Sequence, residues 1–135
     1  MLGKNGKVRA DNDLVFFGNE ESQGHEVRVK TDTGNAFATI ELSKISEDIE
    51  KIAVCMSVYD DQSGTDFSCV DDPVIRIFSD DKEQFRFPLN DLTQEKTVVA
   101  VEFYRYKGEW KVNCVGGGFK FGLASLCREY GVDVE

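Results

Sequence analysis

Thr97-Val98-Val99-Ala100-Val101-Glu102-Phe103-Tyr104-Arg105-Tyr106, then Lys107-Gly108, then Glu109-Trp110-Lys111-Val112-Asn113-Cys114-Val115 is the stretch on which the fold turns. β-Branched and aromatic residues fill both arms, and a short turn-forming pair separates them. That is the pattern of an antiparallel hairpin. Gly116-Gly117-Gly118 is expected to end the second arm. From Phe119 onward the period lengthens: Leu123, Leu126, Cys127 and Tyr130 recur at helical spacing, and Gly131 stands where a helix C-terminus favours glycine.

Upstream, short alternating segments separated by turn-forming clusters repeat along the chain. Ile52, Val54, Met56 and Val58 share one face of a strand. Val74 to Phe78, the turn Ser79-Asp80-Asp81-Lys82, and Phe85, Phe87 and Leu89 read as another hairpin. Pro88 cannot donate to a ladder, so its strand is expected at an edge or a bulge. Val27 and Val29 alternate with charged neighbours, and Ala36, Ala38, Ile40 and Leu42 face one way. Leu14 to Phe17 is an apolar run, and Ser46 to Glu50 reads as one helical turn capped by Ser46. The expected architecture is mainly β: a sandwich of two packed sheets with one C-terminal amphipathic helix, in a single domain over residues 1–135.

The chain has 135 residues, 41% of them apolar, enough for one core. Its net charge of −9 comes from 25 acidic against 16 basic residues. Such a surface repels phosphate backbones and anionic lipid, so neither nucleic acid nor membrane insertion is expected. No run is long enough to span a bilayer and the first residues carry no secretory pattern, which implies a cytoplasmic protein.

Cys55, Cys69, Cys114 and Cys127 contain no Cys-x-x-Cys pair and have no histidine at zinc-site spacing. Cys55, Cys114 and Cys127 lie in apolar segments, as buried thiols of a reducing compartment do. Cys69 sits in an acidic loop, where negative neighbours disfavour a thiolate. The single histidine, His25, adjoins an exposed strand and lacks a nucleophile in sequence reach. No phosphate-binding loop or nucleophile elbow occurs. Catalysis is therefore not expected. Asp60, Asp61, Asp66, Asp71 and Asp72 form an acidic loop without the glycine of an EF-hand frame, and read as solvated surface.

Val101 to Val112, followed by Val115-Gly116-Gly117-Gly118-Phe119 and Gly122-Leu123-Ala124-Ser125-Leu126 with Tyr130-Gly131-Val132, resembles the C-terminal signature of the TerD family. Gly6-Lys7-Val8-Arg9 with Asp13-Leu14-Val15-Phe16-Phe17 resembles its first hairpin, and Ile49-Glu50-Lys51-Ile52 with Val74-Ile75-Arg76-Ile77 is similar to its middle. The resemblance implies a non-enzymatic module of a stress response associated with tellurium-oxyanion resistance. It also implies that Met1-Leu2-Gly3 corresponds to the end of an opening acidic strand, as in an N-terminally short member. The exposed edge that results is expected to take protein partners or a second copy.

Family acidic loops are associated with calcium. Carried over by position, the metal candidates are Asn19, Asp32 and Asn35, the latter two in Thr31-Asp32-Thr33-Gly34-Asn35-Ala36. A calcium shell takes about six to eight oxygens, so calcium binding is expected to be weak or lost. Two other readings remain open at this point: a metal-dependent enzyme or cation buffer using the acidic loops, and a structural assembly subunit.

Overall fold

The computed structural model describes residues 1–32, 35–58 and 65–133. Its regular elements run β1 (Val27–Asp32), β2 (Asn35–Ile40), β3 (Lys51–Ser57), β4 (Val74–Ser79), β5 (Lys82–Pro88), β6 (Thr97–Tyr106), β7 (Glu109–Phe119) and α1 (Leu123–Glu129). The mainly β reading with a single terminal helix stands. The strands form three antiparallel sheets: β1-β2, β4-β5, and a central sheet in the order β3-β6-β7.

Alternation explains how the layers meet. Ile52 pairs with Phe103, Val54 with Val101 and Met56 with Val98. Phe103 pairs in turn with Val112 and Val101 with Cys114. Period two, with the register shift between Val54 and Cys55 bringing Val98 into phase with Val101, places these side chains on one face of the central sheet. The two outlying hairpins cover that face side by side. At one end Val54, Met56, Val98, Val101, Val112 and Cys114 pack with Ile75, Ile77, Phe87 and Leu89 of the β4-β5 region. At the other, Ile52, Phe103 and Trp110 pack with Val27 and Ile40 of β1-β2 and with Ile45 and Ile49. Phe103 belongs to both clusters. The layer facing the central sheet is thus two hairpins rather than one continuous ladder among the described residues.

Helix α1 buries Leu126 and Cys127. It ends as its sequence requires, with Gly131 at φ 84° and the Val132 N–H donating to the Cys127 carbonyl, a closure that favours glycine. The N-terminal segment holds this end down: Val8 N–H donates to the Tyr130 carbonyl and the Lys7 ammonium donates to the Glu129 carbonyl.

Two local expectations are corrected. Gly116-Gly117-Gly118 does not end β7, which continues to Phe119 across a register shift opposite Val99 and Val101. Gly116 supplies that bulge with φ 65°, and the Phe87 ring lies 3.0 Å from where a Cβ would sit, so the glycine meets both a backbone and a packing demand. Leu14 to Phe17 forms no extended strand; only Phe16 bridges to Asn19, after a short 3-10 turn at Asp11–Asp13. The helical turn expected over Ser46 to Glu50 is a single hydrogen-bonded turn, closed by the Ile49 N–H donating to the Ser46 carbonyl, and a separate 3-10 turn precedes it at Leu42–Lys44.

Lys107 and Gly108 connect β6 to β7 with φ of 50° and 77°, the paired positive values of a type I′ turn. Lysine tolerates the left-handed region poorly and asparagine better. Lys107→Asn should therefore stabilise the fold by about 0.5 kcal/mol, visible as a small rise in thermal midpoint. An unchanged or lower midpoint would contradict this.

Candidate functional site

The residues that carry the sequence signature converge on one construction. Arg105, on β6, lies with its guanidinium carbon 4.3 Å from the centre of the Trp110 ring on β7. Its Nε donates to the Ile49 carbonyl at 2.7 Å. Its Nη2 donates to the carbonyls of Ile45 at 3.1 Å and Ser46 at 3.0 Å. The connection between β2 and β3, which sends Ile45 and Ile49 into the core, is thereby fastened to the central sheet. Five fixed donors and a stacking plane are properties of arginine that lysine lacks.

The opposite face of the central sheet carries Lys51, Glu102, Tyr104 and Asn113 along a shallow, open groove of about 440 Å³. Lys51 and Glu102 pair there at 3.4 Å. A second shallow groove of about 740 Å³ runs along β1-β2 between Phe17 and Phe37. Both phenylalanines are exposed.

The two edges of the central sheet are β3 and β7. On the outer side of β3, Leu2 is buried and bridges to Lys51, and Glu50 and Lys51 donate to its carbonyl. That bridge covers only the first residue of β3, and from Ile52 to Ser57 no described residue forms a ladder on its outer side. On the outer side of β7 no described residue forms a ladder, and β7 is an 11-residue strand. Its two-residue turn fixes which groups are open. Tyr106 and Glu109, flanking the turn, form a hydrogen-bonded pair, so Glu109, Lys111 and Asn113 bond inward to β6. The N–H and C=O groups of Trp110, Val112 and Cys114 then point outward.

The metal candidates do not gather at that edge. Asn19 closes a turn: its side-chain amide donates to the Leu14 carbonyl at 2.8 Å, and its backbone exchanges hydrogen bonds with Phe16. Asp32 and Asn35 are cross-strand partners at the far end of β1-β2. One carboxylate and two amides are a poor donor set for calcium, which needs about six to eight oxygens. Among the described residues no three acidic, histidine or cysteine side chains gather at metal-binding spacing. In the acidic loop, Asp60 and Asp61 lie outside the described residues. Asp66 caps the turn at Phe67–Cys69 by accepting from the Ser68 N–H at 2.9 Å.

His25 is exposed, with φ 62°, and its Nδ1 pairs with the Glu21 carboxylate. Cys69 is exposed, Cys114 and Cys55 half-buried, and Cys127 buried. Burial pushes the Cys55 thiol up to about 11, while a hydrogen bond with Tyr130 works the other way; burial also raises Cys127. Thiols held protonated are poor nucleophiles. Sequence reasoning missed the Arg105 fastening and the outward triplet of β7, although Lys107-Gly108 fixes the parity of that triplet once the hairpin is recognised.

Among the described residues no helix is long and apolar enough to cross a membrane. In the solved protein SAV2460, of unknown function, the same fold is seen, with a TM-score of 0.73 over 84% of this chain and 71% of that one at 16% identity. Tellurium resistance protein TerD of Serratia marcescens is 34% identical over all of this chain and 76% of its own length. Chemical-damaging agent resistance protein B of Clostridium acetobutylicum is 30% identical over 94% of this chain and 99% of its own. General stress protein 16U of Bacillus subtilis is 29% identical, over 99% and 75%. The TerD domain model matches residues 1–130, and the chain belongs to the TerD family.

Proposed function

We propose that this chain is a non-enzymatic, cytoplasmic module of a stress response that includes tellurium-oxyanion resistance. It acts by protein association through a sheet edge, with calcium bound weakly or not at all. Relatives named for tellurium resistance, chemical damage and general stress support the physiological setting. The observation that carries the molecular part is the open outer side of β7. Unpaired strand backbone is a template for another strand, whereas burial raises the thiols of Cys55 and Cys127 and His25 pairs with a carboxylate rather than with a nucleophile.

Expression in a tellurite-sensitive bacterial strain tests the reading. Growth at tellurite concentrations that stop the control strain is expected, and the purified chain should not reduce tellurite when supplied with nicotinamide reductant. Turnover by the purified chain, or absence of protection at confirmed expression, would sink it. Calorimetric titration with calcium should give no binding tighter than the micromolar range.

A further inference from the structure

We infer that the edge strand β7 pairs antiparallel with β7 of a second copy, in the one register that places Val112 on the two-fold axis. This rests on the reading that the module acts through that edge, and names the occupant.

The register follows from parity. Only Trp110, Val112 and Cys114 point backbone groups outward, so a hydrogen-bonded partner must present its own groups at matching positions. A two-fold axis through Val112 sets Trp110 opposite Cys114 of the second copy, Val112 opposite its equivalent, and Cys114 opposite Trp110. Every outward group of the triplet then has a partner on both strands, as an isologous interface requires. Moving the axis to Lys111 sets two lysines face to face. Moving it to Asn113 leaves Trp110 opposite Gly116, whose φ of 65° breaks the ladder.

Charge selects the same arrangement. Most surfaces of a chain with net charge −9 would bring acid against acid in a self-complex. Along β7 the sole acidic residue is Glu109 at its start, whereas Lys111 and Asn113 are exposed at the centre. With Val112 on the axis, Lys111 of one copy lies opposite Asn113 of the other. Asn113 pairs on its inner side with Glu102, which also holds Lys51, so the lysine, paired with Glu109 of its own strand at 3.3 Å, enters a row that contains a carboxylate. The half-buried Trp110, Val112 and Cys114 line the opposite face of the joined sheet, where the second copy extends their apolar cover.

Sedimentation equilibrium of the whole chain tests this. A dimer that dissociates on dilution is expected. Lys111→Glu and Asn113→Lys should each weaken it about tenfold, since each contact occurs twice across the axis. The double variant should recover most of the loss, because Glu at 111 then faces Lys at 113 of the other copy. Both positions are exposed, so folding is spared. Val112→Pro, which deletes an outward N–H where an edge strand tolerates proline, should be monomeric yet unfold cooperatively. A wild-type monomer at all concentrations, or a dimer whose single charge variants show no mutual rescue, overturns the inference. Tellurite protection by a chain that stays monomeric would sink only the dimer. A dimer with the stated variant pattern and no protection would sink only the module reading.

Discussion

Replacing Arg105 by alanine should cost about 3 kcal/mol of folding stability, measured by urea unfolding followed through the fluorescence of Trp110, the chain's one tryptophan. The loss has two parts. The carbonyls of Ile45, Ser46 and Ile49 give up charged donors at 2.7 to 3.1 Å, and hydrogen bonds to charged groups contribute about 1.5–3 kcal/mol each before solvent replaces them. Solvent does so incompletely, because Ile49 is fully buried and Ile45 is 6% exposed. The stacking on Trp110 adds about 0.5–1 kcal/mol. Arg105→Lys should recover less than half, since a single ammonium cannot serve three carbonyls and a ring at once. Because this fastening seats the cluster that joins β1-β2 to the central sheet, its removal should also lower the unfolding slope, as that hairpin region loosens before the rest. A lysine variant as stable as wild type would show that the guanidinium geometry does not matter.

That result bears on how much could be read in advance. The strands of the central sheet were legible because alternation is local: Ile52, Val54 and Met56 announce a buried face without knowledge of any partner. The role of Arg105 was not, because its acceptors lie 56 to 60 residues earlier in the chain and are backbone carbonyls, which every residue has. Leu14 to Phe17 misled for the converse reason. An apolar run predicts burial, but a strand needs a neighbour at hydrogen-bonding distance, and here the chain turns back at Asn19. The triple glycine misled because glycine weakens strands on average, while at Gly116 the pressing Phe87 ring leaves no room for another residue.

Of the candidate site, the hairpin that holds Asp32 and Asn35 was legible from its alternating flanks, and the two are direct cross-strand partners. Asn19 was reached only by its position after the segment that resembles the family's first hairpin, and its role as a donor that brackets a turn was not legible. Which strand of the central sheet stands open was beyond sequence reasoning. Both outer strands of that sheet lack a ladder partner among the described residues, β3 beyond the single Leu2–Lys51 bridge and β7 along its outward triplet. Edge position depends on strand order, and strand order here joins β3 to β6 across the whole β4-β5 hairpin; no local pattern encodes that.

Asp13→Asn should destabilise the chain by about 2–3 kcal/mol at neutral pH, and the difference from wild type should vanish in acid. Asp13 has only 4% of its side chain exposed and lies 2.7 Å from the Arg9 guanidinium. Arg9 also donates its backbone N–H and its Nε to the second carboxylate oxygen, each at 2.9 Å, and reaches Asp48 at 2.9 Å. The Met1 ammonium donates to the Asp13 carbonyl, so this knot fixes the segment that lies against β3 and braces α1. Burial pushes the Asp13 carboxyl up, but the hydrogen bonds and charge of Arg9 outweigh it and hold the carboxyl below its ordinary range. A carboxyl depressed in the folded state stabilises fully above its unfolded pKa of about 3.9 and loses that contribution as pH falls through the folded value. Stability curves of wild type and Asp13→Asn should therefore run apart from pH 7 down to about pH 4 and converge below it. Because Asp48 is also depressed, chiefly by its bond from Ser46 and then by Arg9, Asp48→Asn should show a smaller gap that closes over the same range. Two curves separated by a constant gap at every pH would mean that the ionised Asp13 carboxylate contributes packing alone, and the knot would then owe nothing to its charge.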